Sequence, residues 1–482
     1  MAGIISFGAY IPRRRLDRAA AFAALGWFNP ALAAVAKGER AVAGWDEDSV
    51  TMAVEAARDC LTGIPRITVK RLLFASTSAP FADRLNAGIV KEALNLSDEV
   101  VTFDGAGSQR AGLGALMQSL QIAAGATGPA LCVAAEKRRT QPGSEAELTS
   151  GDAAVAMLVG DEGAIAEMVG THSLSVDFVD HFRSATAPYD YGWEKRWIRD
   201  EGYLKIAAGA ISAALEKAGL GPDMVDAFIF PAPMKGAAEA VAKKIGIRVE
   251  AVRDSLAGRL GDAGVAQPLI MLAHALEEIG PGKTILVAAF GSGVDILILR
   301  TTDLIASLPP RNGVLGSLAR RSTEANYIRF LFSNGHIDLD RGMRAEYESK
   351  QPLTALYRNR KAVLGLVGGR CSKTGSIQFP KSDISVNPED HAIGTMEDYP
   401  LAEKTAYVLT HTADNLTYTP DPPALYGMIE FEGGGRMNVE FCDMEQDALE
   451  VGRPMRMMFR IKSIDEQRQF RRYFWKAAPA AD

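Results

Sequence analysis

One segment of the chain is dense in side chains that can bind a small molecule and move protons. Residues 177–203 carry seven aromatic and ten charged side chains among 27 residues, whereas aromatic residues make up 7% of the whole chain. Tyrosine and tryptophan rings favour burial while their polar atoms need partners, so this density fits a plain surface loop poorly. The segment contains His181. Imidazole titrates at about pH 6.5, which makes His181 a natural general acid or base.

The other side chains of this segment predict a substrate pocket. Four rings can form a flat pocket for an aromatic or polycyclic group, namely Tyr189, Tyr191, Trp193 and Trp197. Three charged residues can hold a substrate carboxylate or pair with one another, namely Arg183, Arg199 and Glu201. The alternative interpretation is a segment at a dimer interface whose salt bridges are satisfied.

Composition excludes several classes of function. The chain has 482 residues, 53 Lys plus Arg and 59 Asp plus Glu, for a formal net charge of −6. This balance gives no electrostatic reason to expect a nucleic acid or an anionic membrane as partner. No apolar stretch reaches about 18 residues, and the N-terminus lacks the apolar core of a signal peptide. The four cysteines lie far apart, in no disulfide-like framework. We therefore expect a protein of the reducing cytoplasm.

The pattern of apolar runs changes along the chain. Residues 1–306 alternate short apolar runs such as RLLFAS and TILVAAF with helical patterns, which is typical of buried parallel strands in an α/β domain. Residues 315–362 predict surface helices. Residues 363–463 are strand-like and predict a small all-β module.

An internal repeat divides the α/β region. In each half, a leucine of a helical pattern is followed after the same number of residues by a phenylalanine of a strand pattern. The two pairs are Leu61 with Phe74 and Leu215 with Phe228, and the two phenylalanines lie 154 residues apart. The segments that begin at Arg110 and at Asp262 match at an offset of 152. Two pairs of matching segments separated by nearly the same number of residues predict a duplicated α/β unit. The alternative is a chance match between Ala- and Gly-rich segments.

Four motifs of this region resemble the thiolase superfamily, above all hydroxymethylglutaryl-CoA synthase and ketoacyl synthase III. They are FDGAGSQRAGLGAL (103–116), GDAAVAMLVG (151–160), GRLGDAGVAQPLIMLAHAL (258–276) and AFGSGV (289–294). The resemblance implies a layered αβαβα thiolase fold over residues 1–310, with halves of about 1–165 and 166–310. It also implies a homodimer or dimer of dimers, paired through GDAAVAMLVG.

The remainder resembles the OB-fold partner protein of the DUF35 type, which usually carries a zinc ribbon. GGRCSKTGSIQFPKS (368–382) resembles the start of the ribbon, and DPPALYGMIEFEGGGRMNVEFCD (421–443) resembles the OB strands. The domains expected are a helical linker over 311–362, an OB fold with degenerate ribbon over 363–475, and a frayed tail over 476–482.

The residues that catalyse the superfamily reaction are replaced in this chain. The family's nucleophilic cysteine falls on Gln109, next to Ser108, its glutamate on Thr77, its histidine on Pro231 and its asparagine on Asp262. Cys132 lies inside a strand pattern and is interpreted as a packed small side chain. An acyl-cysteine mechanism is therefore not expected, and no Ser-His-Asp order makes Ser108 an evident nucleophile.

Other positions keep binding chemistry. Arg110 can bind a substrate carboxylate, or pair with Asp104 or Asp262. Lys235 resembles a CoA-contacting helix start, a solvated lysine being the alternative. The backbone amides of Gly291 and Gly293 are expected to form an oxyanion loop.

A zinc site is not expected in the ribbon-like segment. The first ligand pair is reduced to Cys371 and Thr374, and the second, expected near 384–388, holds no cysteine. His391 adds at most a second ligand, whereas structural zinc needs four. We expect no metal, and a ribbon held by packing.

The leading functional prediction is an enzyme that makes or breaks a C–C bond at an acyl carbon with coenzyme A as co-substrate. The favoured reaction is retro-Claisen cleavage of a β-oxo acid or β-oxoacyl-CoA, in which His181 takes the proton of the CoA thiol. The alternatives are synthase-like condensation, aldolase- or decarboxylase-type enolate chemistry, and a non-catalytic scaffold subunit.

Overall fold

The computed structural model describes residues 2–125, 128–343, 350–389 and 392–480. Contacts divide the chain into two compact units. The second unit consists of the chain from Gly335 onward together with two short segments, Trp45–Glu47 and Ile89–Leu96. The first unit is built from the rest.

The strands of the described chain are, in order, β1 (Gly3–Tyr10), β2 (Arg14–Asp17), β3 (Glu39–Ala41), β4 (Arg71–Ala75), β5 (Val101–Gly105), β6 (Ala130–Glu136), β7 (Ala153–Gly160), β8 (Ala166–Ser175), β9 (His181–Phe182), β10 (Tyr191–Gly192), β11 (Ala227–Ile229), β12 (Thr284–Phe290), β13 (Gly293–Thr301), β14 (Ser322–Glu324), β15 (Val367–Cys371), β16 (Ile377–Gln378), β17 (Met396–Pro400), β18 (Ala406–Asp414), β19 (Ala424–Phe431), β20 (Arg436–Glu440), β21 (Pro454–Asp465) and β22 (Phe470–Pro479).

The α-helices are α1 (Arg18–Leu25), α2 (Ser49–Cys60), α3 (Asn86–Ala93), α4 (Ala111–Ala123), α5 (Glu145–Thr149), α6 (Lys195–Trp197), α7 (Ala208–Ala218), α8 (Ala237–Ile245), α9 (Gln267–Glu278), α10 (Gly313–Ala319), α11 (Tyr327–Ser333), α12 (Leu353–Arg358) and α13 (Arg360–Val363). A π-helical stretch, Ile198–Ala207, joins α6 to α7. Within the described ranges, no helix combines the length and apolar character needed to cross a membrane.

The large sheet of the first unit repeats one pattern twice. Its nine strands follow the order β11-β12-β13-β8-β1-β7-β6-β4-β5. On one side β4 runs parallel to β6, which is antiparallel to β7, which is antiparallel to β1. On the other side β11, β12, β13 and β8 are related in the same way. Phe74 and Phe228 lie in the corresponding strands β4 and β11, so the predicted duplication is confirmed.

Two buried helices, α4 and α9, pack beside this sheet, and both begin at the candidate active site described below. In α4 the leucines at 113, 116 and 120 are fully buried, a spacing that places them on one helical face. In α9 every residue from Gln267 to Leu276 is buried. Gly112 lies so close to the carbonyl oxygen of Val265 that a Cβ atom would not fit, which brings the first turn of α4 against the chain that leads into α9.

The strand expected to pair across a two-fold axis is an interior strand. GDAAVAMLVG forms β7, which is buried along its whole length and hydrogen-bonded to β1 on one side and β6 on the other. With both edges occupied, β7 has no backbone groups left for a partner chain, so this prediction is wrong. The strand at that end of the sheet with an open edge is β5.

The second unit contains a five-stranded antiparallel sheet in the order β20-β19-β18-β21-β22 and a three-stranded sheet in the order β16-β15-β17. A parallel bridge between Phe441, just after β20, and Ala477 of β22 brings the outer strands of the larger sheet together. A five-stranded antiparallel arrangement is compatible with the predicted OB fold, which stays a prediction. The all-β prediction for this region is confirmed, and the relationship to DUF35-type proteins stays a prediction.

The expected domain limits differ from the structure at two places. The linker predicted over 311–362 does not stay separate, because α10 packs beside β1 and β14 pairs with β2 in the first unit. The tail predicted to start at 476 belongs to the sheet as far as Pro479, which pairs with Met455. The residues from Trp475 to Ala478 are all buried in β22, which explains why the strand continues.

Candidate active site

The start of α4 lies against the loop between β12 and β13. The Ser108 hydroxyl donates a hydrogen bond of 2.8 Å to the carbonyl oxygen of Gly291. A Cβ atom on Gly291 would lie 2.6 Å from Ser108 Oγ and 3.2 Å from the backbone nitrogen of Gln109, so only glycine permits this approach. The Gly291 N–H donates to the Gly293 carbonyl at 2.9 Å, and Gly293 packs directly on Leu174. Close packing therefore accounts for both glycines, and the oxyanion role expected for the Gly291 amide is not supported.

Three residues form a hydrogen-bonded array in front of α4. The His181 Nδ1 atom lies 3.1 Å from Asp180 Oδ1, and His181 Nε2 lies 3.3 Å from Gln109 Nε2. A carboxylate beside Nδ1 favours the tautomer with the proton on Nδ1, in which Nε2 accepts from the Gln109 amide. The structure thus brings together His181 and Gln109 and adds Asp180. Sequence reasoning missed Asp180, although a carboxylate beside the histidine in DFVDHF was a visible signal.

A buried carboxyl group lies behind Gln109. Glu136 ends β6 and is fully buried. Its Oε2 atom accepts hydrogen bonds from Thr77 Oγ1 at 2.7 Å and from the Val265 N–H at 3.5 Å. Burial raises the pKa of Glu136, and the positive charge of Arg138 and the nearby hydroxyl groups oppose the rise. Sequence reasoning placed Thr77 here but missed Glu136, whose signal was a glutamate closing the apolar run ALCVAAE.

Two acceptor atoms of this cluster are buried without a hydrogen-bond partner, Gln109 Oε1 and Glu136 Oε1. Both side chains border Gly264, where an added Cβ atom would lie 2.7 Å from Gln109 Oε1 and 3.2 Å from Glu136 Oε2. Gly264 itself adopts a φ of +53°, so both its backbone and its surroundings require glycine.

Arg110 is committed to an ion pair inside the first unit. Its guanidinium donates to Asp295 Oδ1 at 2.8 Å and to Ser175 Oγ at 3.1 Å. Asp104, one of the expected partners, instead accepts from the backbone N–H groups of Asn86 and Ala87. The ion-pair alternative therefore describes Arg110 better than carboxylate binding, but with a partner that sequence reasoning did not identify.

Asp262 shapes the chain before α9. Its Oδ1 accepts the Gly264 N–H at 3.0 Å, and its backbone bonds Thr149 and Gly151. The carboxylates of Asp262 and Asp180 also act on Tyr203, whose buried ring meets Phe230 edge-on. Burial, with those two carboxylates, raises the pKa of the Tyr203 hydroxyl.

Of the four other predicted binding residues, Tyr191 and Trp193 lie beside the array, since β10 pairs with β9 and the Trp193 N–H donates to the Asp180 carbonyl at 2.9 Å. Tyr191 is 58% exposed and Trp193 is 53% exposed, and the flat aromatic pocket expected from the sequence stays a prediction. Glu201 pairs with Lys205, four residues later, at 2.5 Å. Lys235 is exposed in the loop between β11 and α8. The remaining rings pack locally, Trp197 stacking on Phe178 at 4.3 Å between ring centroids.

The segment 177–203 is nevertheless fastened over the cluster. The Arg183 guanidinium donates to the backbone carbonyl of Thr77. Asp190 pairs with Arg138 at 2.5 Å and with Arg183 at 3.6 Å. Arg183 and Asp190 thus fasten the segment that carries His181.

The cysteines behave as the sequence predicts where the structure describes them. Cys132 is fully buried in β6, and burial raises the pKa of its thiol to about 12, which confirms its packing role. Cys371 forms a small buried cluster with Ala392 and Met396. Among the described residues, no three His, Cys, Asp or Glu side chains are grouped so as to hold a metal ion. His391 lies outside the described residues.

Comparison with solved structures defines the class of protein. An HMG-CoA synthase complexed with CoA superimposes with a TM-score of 0.62 over 73% of this chain and 95% of the other, at 18% identity. The 3-oxoacyl-(acyl carrier protein) synthase III of Pseudomonas aeruginosa PAO1 superimposes with a TM-score of 0.56 over 62% and 98%, also at 18% identity. The fold is that of the thiolase superfamily.

Sequence relatives identify the family. The chain is 31% identical to the hydroxymethylglutaryl-CoA synthase of Aeropyrum pernix over 333 residues, which is 68% of this chain and 92% of the relative. It is 30% identical to that of Caldivirga maquilingensis over 338 residues, or 68% and 96%. Residues 215–299 match the C-terminal domain of 3-oxoacyl-[acyl-carrier-protein] synthase III. The chain belongs to the hydroxymethylglutaryl-CoA synthase family, whose members are acyl-transferring enzymes of C–C bond chemistry.

Proposed function

We propose that the chain catalyses a synthase-like condensation of aldol type between two CoA thioesters, without an acylated side chain. The observation that carries the proposal is the Asp180–His181–Gln109 array, which places an imidazole lone pair and an amide donor at the start of α4. A base and a hydrogen-bond donor are the two groups that forming an enolate requires.

In the proposed reaction His181 Nε2 takes a proton from the carbon next to one thioester. The resulting enolate carbon attacks the keto carbonyl of a β-oxoacyl thioester, forming one C–C bond. The new alkoxide takes the proton back from the imidazolium, so no bond to a CoA sulfur breaks. Asp180 stabilises the imidazolium between these steps, as a carboxylate on Nδ1 does in other proton-transfer sites. The Gln109 amide and the positive end of α4 stabilise the enolate oxygen.

A covalent route has no nucleophile in this cluster. Gln109 cannot attack a thioester. The Ser108 hydroxyl donates its hydrogen bond to the Gly291 carbonyl rather than to a base. Cys132 is buried with a pKa raised to about 12, so its reactive thiolate form is suppressed. Direct enolate chemistry needs none of these groups.

The family relationship favours condensation over the retro-Claisen cleavage that the sequence predicts as the leading reaction. Both sequence relatives are named as synthases. Coenzyme A as the carrier of the acyl groups is supported by the solved synthase complexed with CoA. A cytoplasmic location stays part of the proposal, and the four free cysteines support a reducing compartment.

Mass spectrometry of reaction mixtures tests the proposal. Purified protein is incubated with acetyl-CoA and a panel of β-oxoacyl-CoAs, and we expect a branched hydroxyacyl adduct that retains both CoA groups. The protein mass should stay unchanged throughout. Cleavage of the β-oxoacyl-CoA by free CoA into two acyl-CoAs would restore the retro-Claisen interpretation. Absence of both reactions would favour the scaffold alternative.

A further inference from the structure

We propose that Glu136 is a protonated positioning residue that holds the Gln109 amide, and through it the His181 ring, in one orientation. The proposal concerns a side chain that lies behind the array and does not reach the reacting atoms. It rests on the proposed function only for its effect on turnover, because its effect on the histidine ring is a property of the resting protein.

The first argument is hydrogen-bond satisfaction. Gln109 Oε1 and Glu136 Oε1 are both buried acceptors without a donor, and both side chains border Gly264. Leaving buried acceptors unpaired is costly, and in the proposed arrangement a proton on Glu136 gives its carboxyl group a donor for Gln109 Oε1, on the far side of the Gly264 approach. Glu136 Oε2 is already occupied by Thr77 Oγ1 at 2.7 Å, so Oε1 is the atom left to carry that proton.

The second argument is orientation. A primary amide whose oxygen is bound by Glu136 must turn its Nε2 group the other way, toward His181 Nε2 at 3.3 Å. That ring nitrogen then accepts, which keeps the ring proton on Nδ1 beside Asp180. Ionised Glu136 would repel Gln109 Oε1 and favour the flipped amide. The flipped amide turns its oxygen toward His181 Nε2, so two acceptors would face each other.

The surroundings of Glu136 support the neutral form. The carboxyl group is fully buried, and burial raises its pKa. The charge that acts on it is Arg138, from the chain after β6, and Arg138 is neutralised by Asp190 at 2.5 Å. Hydroxyl groups of Thr77 and Ser78 face it from the end of β4, and the Val265 N–H faces it from the chain before α9. His181 lies beyond Gln109.

Thr77 relates the position of Glu136 to the glutamate of the resembling family. The resemblance places the family's glutamate at position 77, and here the Thr77 hydroxyl binds a carboxyl group that comes from β6 instead. Strands β4 and β6 are parallel neighbours, with Ala75 opposite Ala134, so a residue just past either strand reaches the same place. Glu136 therefore supplies a carboxyl group from β6 beside the position at which the resemblance expects one at the end of β4.

Two variants of matched size separate a neutral donor from a carboxylate. Glu136→Gln keeps a donor at the buried position, whereas Glu136→Met keeps the volume and removes it. We expect Glu136→Gln to retain kcat within a few-fold and Glu136→Met to lose roughly ten- to hundredfold, as for a buried acceptor left unpaired. Raising the pH should lower wild-type kcat as Glu136 ionises and leave Glu136→Gln unaffected in that range.

Nitrogen NMR of the histidine-labelled resting protein provides the readout that does not depend on turnover. The His181 signals should report a proton on Nδ1 in wild type and in Glu136→Gln, and a mixture of tautomers in Glu136→Met. An unchanged tautomer in Glu136→Met, or a Glu136→Gln variant as inactive as Glu136→Met, would overturn the proposal. If no variant turns over substrate but the tautomers behave as expected, the positioning role stands and the proposed function fails.

Discussion

Replacing a nucleophilic cysteine by glutamine changes what the start of α4 can do. A thiolate forms and breaks bonds to acyl groups, whereas an amide only donates and accepts hydrogen bonds. Gln109 uses its donor toward His181, and its oxygen lies on the buried side near Glu136. In the proposed reaction, position 109 therefore positions a base instead of carrying an acyl group.

Removing the imidazole should abolish most of the activity. We expect His181→Ala to lose roughly 10²–10⁴-fold in kcat, the usual contribution of a general base. Asp180→Asn is the matched control, since it keeps the ring but replaces the acceptor beside Nδ1, and it should lose less than His181→Ala. Steady-state kinetics with the best thioester pair measures both. An unaltered rate in His181→Ala would leave the enolate chemistry without its assigned base.

Restoring a thiol at position 109 should restore acylation without restoring the synthase reaction. In Gln109→Cys an acyl-CoA should add one acyl mass to the protein, whereas the wild-type mass should not change. Thr77 and Pro231 still lack the family's glutamate and histidine functions, so full condensing activity should not return. Intact-protein mass spectrometry checks this, and an acyl group found on wild-type Ser108 or Cys132 would contradict the non-covalent route.

The buried Glu136 also predicts how stability depends on pH. Its pKa is raised above the ordinary 4.5 by burial, so between 4.5 and the raised value the folded protein binds more protons than the unfolded chain. Stability then falls as the pH rises through that range. Glu136→Gln has no such group. With rising pH, the melting temperature of this variant should therefore increase relative to that of wild type. A constant difference from pH 5 to 8 would contradict the raised pKa.

At the scale of elements, the open edge of β5 replaces β7 as the surface for a two-fold pairing. Val101 is 60% exposed and Phe103 is 58% exposed on this edge strand. An apolar edge strand with unpaired backbone groups is a template for another strand, and pairing two copies antiparallel gives an isologous dimer. We therefore expect the homodimer to form through β5.

A charge on this edge should separate the copies. Phe103→Lys should shift the protein from dimer to monomer in light scattering at micromolar concentration, because two like charges would face each other across the axis. Val249→Lys places the same charge on a residue that is 55% exposed, outside β5, and should leave the dimer intact. A wild-type monomer, or a dimer that survives Phe103→Lys, would contradict pairing through β5.

The elements also show what the sequence predicts well and where it stops. The repeat offset correctly placed Phe74 and Phe228 in equivalent strands, because a duplicated fold keeps its strand spacing. Glu136 closes a recognisable apolar run, but its role was not predicted, because that role depends on Thr77 and Gln109, which reach it only in the tertiary structure. The density of rings at 177–203 predicts a pocket, whereas the structure shows Arg183 and Asp190 fastening the segment and leaves Tyr191 and Trp193 exposed, so the pocket stays a prediction.

At the scale of the whole molecule, the second unit is held by an apolar core of its own. Phe459 of β21 and Trp475 of β22 are both buried. The Trp475 indole N–H donates to the Leu364 carbonyl at 2.8 Å. The neighbours of Cys371 include apolar side chains and the hydroxyls of Thr374 and Thr395, the latter 3.2 Å from the sulfur. The degenerate ribbon stays a prediction.

Metal removal tests that packing. A structural zinc site contributes about 10–16 kcal/mol, so a zinc-dependent unit would unfold in chelator. We expect well under one zinc per chain by elemental analysis, and the same melting curve with and without EDTA. Cys371→Ala should lower the melting temperature slightly, as loss of a small buried side chain does, and should not abolish folding of the unit. Stoichiometric zinc, or a melting transition lost in EDTA, would mean that other residues complete a metal site with Cys371.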